Sequence, residues 1–287
     1  MKTTHFSMIM AAVILVSIPA AAAEPGFHDE IKRGKEKELR VKLDAAMGKV
    51  KLCRVGAPYL FVSDLEPHGM EGLAPDIHYS ISGSTGILDV STDFGHGHRH
   101  SYNFDFSTDM VWDIKLSDAV PVLFKGQLGA GSGDFDFTGI RLRSFDLETG
   151  ASSVTIRFNE PNPVAMDRMR IESGVSKFEG VNLGFANFRT MTFKGGVGSY
   201  MLNFYGVEQP ETDVDIEQGI GSITILVPSD VGVKIDHSGS FLSKLHAYPD
   251  ISERSDDEYF SNNYESAAKK MYIKIESALG SVTVQHK

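Results

Sequence analysis

From Gly126 to Leu226 the chain repeats one short unit: an alternating β-run, a glycine-containing kink, and a second β-run. Successive copies read GQLGAGSGDFDF, LETGASSVTIRF, IESGVSKFEGVNL, FKGGVGSYMLNF and IEQGIGSITILV. One glycine from each copy, namely Gly129, Gly150, Gly174, Gly196 and Gly219, gives intervals of 21, 24, 22 and 23 residues. A β-rich period of about 22 residues is the signature of a solenoid in which each copy supplies one coil. A late copy, IESALGSVTV, closes the chain with Gly280, 61 residues after Gly219.

Backbone sterics explain why glycine recurs at the kink. A sharp bend often needs positive φ or a close backbone approach, and only glycine has no Cβ to clash. These five glycines are therefore expected to be structural turn residues. A phosphate-cradling loop is the competing reading of Gly129-Ala130-Gly131. It fails, because Asp134 stands where a dinucleotide fingerprint needs its third glycine, and strand-like Phe135 and Phe137 follow instead of a helix.

Period-two alternation runs through the copies. Phe135 and Phe137 alternate with Asp134 and Asp136; Val154, Ile156 and Phe158 with Thr155 and Arg157; Ile223 and Ile225 with Thr224. Such a pattern stacks apolar side chains from coil to coil about 4.8 Å apart, with backbone groups bonding the coils above and below. Eighteen Phe, nine Tyr and 28 Gly suit strands and tight turns. The expected fold is all-β: a β-solenoid, β-helix-like, preceded by a smaller β region.

The chain divides as follows. Residues 1–23 read as a signal peptide, with Lys2, the apolar run MIMAAVILVSIP and a small-residue end at Ala21-Ala22-Ala23. Residues 24–38 are charged and lack a periodic apolar face, and are expected to be a flexible leader. Residues 39–120 form an N-terminal β region in which Leu39, Val41 and Leu43 open an imperfect first copy of the phrase. Residues 121–287 hold the glycine-rich solenoid. The polar stretch from Tyr248 to Lys270 breaks the rhythm and, with the N-terminal region, is expected to cap the open ends.

Charge and cysteine content narrow the setting. A formal charge of −10 disfavours nucleic acid and anionic lipid surfaces as partners. No later stretch approaches twenty apolar residues, so no integral membrane segment is expected after signal cleavage. Cys53 is the only cysteine, so burial and not an internal disulfide must supply stability.

Three stretches, GQLGAGSGDFDFTGIRLRSFDLETGASSVTIRF, VNLGFANFRTMTFKGGVGSYMLNFYG and GIGSITILVPSDVGVKI, resemble the toastrack-type bacterial envelope domain, including the C-terminal domain of LiaF-like, cell-wall-active antibiotic response proteins. The resemblance runs roughly from Leu39 to Thr283. Its most specific pieces are Leu183-Gly184-Phe185-Ala186-Asn187-Phe188 and Val227-Pro228-Ser229-Asp230-Val231-Gly232-Val233. It implies a right-handed coil and an envelope-associated, adhesin-like or sensory role, and it carries over no catalytic residues. Where LiaF has membrane helices, this chain has a signal peptide.

Candidates for chemistry are few. His96, His98 and His100, spaced by two, would share one face of an extended strand and suit zinc or copper; flanking Gly95, Gly97 and Arg99 fit a solvated hairpin tip instead. Asp134, Asp136, Asp213 and Asp215 are a candidate carboxylate cluster of the kind that works on polysaccharides, although they alternate with apolar residues as solvated strand faces do. No G-x-S-x-G, H-E-x-x-H, C-x-x-C or phosphate loop is present. The sequence thus points to an exported, non-catalytic envelope module, periplasmic or extracellular, without a cofactor, whose partner is an envelope protein or glycan. A polysaccharide-binding or polysaccharide-active solenoid, and a metal-binding envelope protein using the histidine cluster, are the alternatives.

Overall fold

The computed structural model describes residues 26–68, 73–94, 110–240 and 242–287. Its strands, in chain order, are β1 (Phe27–Lys32), β2 (Glu38–Val55), β3 (Tyr59–Glu66), β4 (Leu73–Ser82), β5 (Thr85–Phe94), β6 (Val111–Ser117), β7 (Val122–Asp136) and β8 (Leu142–Arg157). There follow β9 (Met166–Val181), β10 (Phe188–Asn203), β11 (Glu211–Val227), β12 (Val231–Gly239), β13 (Ser243–Tyr248), β14 (Ile251–Ser255), β15 (Glu258–Ser261) and β16 (Lys269–His286). All belong to one sheet system.

Seven long strands form the body. They stack in parallel in the order β2, β7, β8, β9, β10, β11, β16. Each is a bent rung, because side-chain alternation changes phase in its middle. In β7, Phe124 and Leu128 are buried on the first arm, and Phe135 is buried on the second. The parity shift occurs at Gly129-Ala130-Gly131, so one strand carries two arms around a corner.

The core lies between the arms. On the first arms, Val41, Phe124, Phe145, Met169, Met191, Val214 and Ile273 stand in register. Phe124 and Phe145 stack at 5.5 Å between centroids, and Phe137, just past the second arm of β7, meets both edge-on at 5.1 Å. Rung-to-rung stacking is the direct consequence of a 22-residue repeat in parallel register.

Both ends are closed by strands out of chain order. Below β2, the rung is split: β5 pairs its first arm and β6 its second. Above β16, β12 and β13 make a second split rung. Antiparallel strands lie beyond these, β4 on β5, β3 and β1 on β6, and β15 with β14 on β12. The polar stretch after Tyr248 supplies β14 and β15, in the capping role its composition suggested.

Some expectations need revision. The segment expected as a flexible leader, 24–38, contains β1, which pairs with β3. In the same segment the Glu36 carboxylate is buried and accepts the Gly34 N–H at 2.8 Å. The N-terminal β region and the solenoid share one sheet system, since β2 pairs with β7 along both arms. Gln218 pairs with Ser277 and Ile220 with Leu279, which brings Ala278 opposite Gly219 and pairs Gly280 with Gly221.

Candidate functional site: the corner strip

Stacking seven bends produces a strip along the solenoid. Gly129, Gly150, Gly174, Gly196 and Gly219 fall in one column, with Ala46 and Ala278 at its ends. Their φ values are not in the left-handed region. Their need for glycine is proximity: a Cβ on Gly196 would lie 2.7 Å from the Gly174 carbonyl oxygen. The left-handed residues belong to a second column two positions on, where Gly48, Gly131, Gly221 and Gly280 have φ between +106° and +132°.

Beside the first column runs a groove of about 1170 Å³. Its floor is the backbone at and just before the corner, from Ala46 to Ala278. One wall is a row of polar side chains two residues before each corner: Asp44, Gln127, Glu148, Glu172, Lys194, Glu217 and Glu276. Basic groups hold much of this row in place. Lys125 and Gln127 donate to Glu148 at 3.2 and 2.9 Å, and Lys194 donates to Glu217 at 2.7 Å. The Gln127 amide, then Lys125, hold the Glu148 carboxyl below the usual carboxylate range; Lys274 does the same for Glu276.

One residue past the corner, outside the groove lining, the chain carries a further column, the ridge. The residue after each corner glycine is apolar in every long rung, and Val175, Val197, Ile220 and Leu279 are 64%, 46%, 48% and 39% exposed. Leu242, 52% exposed, stands beside Leu279 at the split end rung. Exposed aliphatic side chains scattered singly need no explanation, but a stacked row of them does. Sequence reasoning missed this row. Its signal was legible: the residue after each kink glycine is Ala130, Ala151, Val175, Val197 and Ile220.

Beneath the floor the interior turns polar. Thr149 and Ser173 share a hydrogen bond of 3.1 Å, and Ser173 meets Ser176 at 2.5 Å. His237 Nε2 lies 3.0 Å from Ser277 Oγ, and burial pushes this imidazole below its usual range against the opposing pull of Asp257 and Asp236. The Gln218 amide is buried with no partner among the described residues.

The other candidates fall elsewhere. Asp134 and Asp136 lie on the second arm of β7, whereas Asp213 and Asp215 lie on the first arm of β11, with three rungs between. They are not brought together. Asp134 instead pairs with Arg157 at 2.7 Å, and Asp136 accepts the Thr138 N–H at 2.9 Å. Cys53 is exposed on β2, and partial burial pushes its thiol up despite Lys115. His96, His98 and His100 lie outside the described residues. Among the described residues no three His, Cys, Asp or Glu side chains group to hold a metal.

An all-β solenoid of bent rungs with a groove and ridge along its corner belongs to the class of β-solenoid scaffolds. More particularly, the chain belongs to the toast_rack family: the family model described as the N-terminal domain of toast_rack, DUF2154, matches residues 21–179. A second model, cell wall-active antibiotics response LiaF, C-terminal, matches residues 184–284. No curated protein matches. Among solved structures, a candidate cell adhesion protein of Clostridium sporogenes is 17% identical, with 92% of this chain and 99% of that chain covered at a TM-score of 0.44. A candidate adhesin of Bacteroides fragilis is 12% identical (91% and 97% covered, TM-score 0.37), and a candidate lipid-binding protein of Parabacteroides distasonis is 11% identical (92% and 97%, 0.37).

Proposed function

We propose that this protein is an exported, non-catalytic interaction module of the cell envelope, acting through its corner strip. The observation that carries the reading is the strip itself, a groove and an exposed apolar ridge that run side by side across the long rungs. Two features support the non-catalytic part. In the groove wall, Gln127 and Lys125 hold Glu148 and Lys274 holds Glu276 in the ionised form, which suits neither carboxylate to act as a general acid. The four aspartates expected as acid–base candidates are split between two arms. The match of residues 184–284 to the model described as cell wall-active antibiotics response LiaF, C-terminal, supports the envelope setting. Export is supported by the signal-like residues 1–23.

Two measurements test the reading together. Purified peptidoglycan and envelope glycans are assayed for binding and for release of reducing ends, and envelope fractions are captured on the immobilised protein. Binding that falls when Val197 and Ile220 are changed to Glu is the expected result. Glycan turnover that disappears in Asp134→Asn or Asp136→Asn would instead make the protein a polysaccharide-active solenoid.

A further inference from the structure

Resting on the reading of the corner strip as an interaction surface, we infer that its partner is a second copy of this chain, seated ridge-in-groove about a two-fold axis parallel to the stack. The argument starts from shape. Groove and ridge are neighbours, because the glycine column that floors the groove is followed by the apolar column one residue later. They also share one repeat, about 4.8 Å per rung, so seven rungs give a strip about 29 Å long. A two-fold axis along the stack reverses the strip laterally while keeping its direction. Each ridge then faces the partner's groove, and each rung faces its own equivalent, as an isologous contact requires. A two-fold across the stack would instead set groove on groove and ridge on ridge, and would face the mostly acidic wall row with its own copy.

Charge makes the same choice. In the parallel arrangement, the row two residues before the corner meets the partner's row three residues after it. In β9 these are Glu172 and Lys177, and in β2 they are Asp44 and Lys49. Elsewhere the second row is serine: Ser153 would face Glu148, Ser199 would face Lys194, and Ser222 would face Glu217. No like charges meet on these rungs. Opposed charge steers and registers an interface more than it tightens it, whereas the buried aliphatic ridge supplies affinity. A strip of this length lies at the small end of specific interfaces, so the dimer is expected to dissociate on dilution.

Sedimentation equilibrium of the mature chain tests this, under reducing conditions because Cys53 is exposed. The wild type should pass from monomer to dimer as protein concentration rises, and Val197→Glu with Ile220→Glu should remain monomeric. Lys177 is exposed, so Lys177→Glu tests the contact without threatening the fold. It should weaken the dimer about tenfold, since the two-fold loses each surface pair twice. Exchanging both charges, Glu172→Lys with Lys177→Glu, should recover most of that loss. A wild type that stays monomeric at 100 µM, or a dimer indifferent to the ridge and charge variants, overturns the inference. In that event the wider interaction reading stands if the ridge variants still lose envelope capture, and falls if they do not.

Discussion

At the residue scale, the corner shows two reasons for glycine that the repeat alone merges. The first column needs glycine because rungs approach closely, the second because the backbone turns left-handed. Gly221 combines φ +132° with a Cβ position that would collide with the Gly198 carbonyl. Gly221→Ala should therefore cost about 2 kcal/mol or more in urea unfolding, beyond the left-handed penalty alone. Gln218 argues the opposite way. Its orphaned amide makes Gln218→Met an expected stabilisation of about 1 kcal/mol in the same assay. His237 adds a pH dependence. Burial lowers its folded pKa, so the unfolded chain binds more protons and this contribution is present above the unfolded value of about 6.5. It is lost as pH falls through the depressed folded value. His28 runs the other way: its hydrogen bond to Asp64 raises its pKa, and that contribution fades as pH rises. Midpoints recorded from pH 7 to pH 5 should fall less in His237→Gln than in wild type.

At the element scale, the bent rung is the unit, and its inner alternation was readable from Phe135, Val154, Ile156, Ile223 and Ile225. The bend without interruption was not readable. Gly-x-Gly between two β-runs also describes a hairpin turn, and only parallel pairing on both sides of the corner distinguishes the two. The last strand shows a further limit. β16 is made last yet lies between β11 and β12, with Met271, Ile273, Ile275, Val282 and Val284 buried. Deleting residues 269–287 removes that wedge and bares two parallel edges. The truncated chain should aggregate or unfold, as seen by light scattering and loss of the far-ultraviolet β signal. His286 secures the same end: its ring lies 2.7 Å from Asp250 and 2.8 Å from the Val231 carbonyl.

At the scale of the molecule, each long rung touches chiefly its two neighbours, so stability is close to a sum over rungs and their interfaces. The centre, β8 to β10, is covered on both sides by continuous parallel strands, whereas the outer rungs are split. Hydrogen exchange should accordingly be slowest in β8, β9 and β10 and fastest in β1, β4, β13 and β14. Uniform protection along the stack would show instead that the caps lock the solenoid into one cooperative unit.

The sequence by itself determined the all-β class, the rung length and the inward side chains, because period-two alternation and a 22-residue glycine spacing leave few other ways to bury so much Phe, Val and Ile. Tertiary structure alone decided which columns those residues join. Register fixed Ala278 opposite Gly219, separated Asp134 from Asp213, and lined Val175, Val197, Ile220 and Leu279 into one ridge. The physical reason is that each rung's outward residues are indifferent to burial locally. Their meaning arises only when backbone hydrogen bonding stacks them on the next rung.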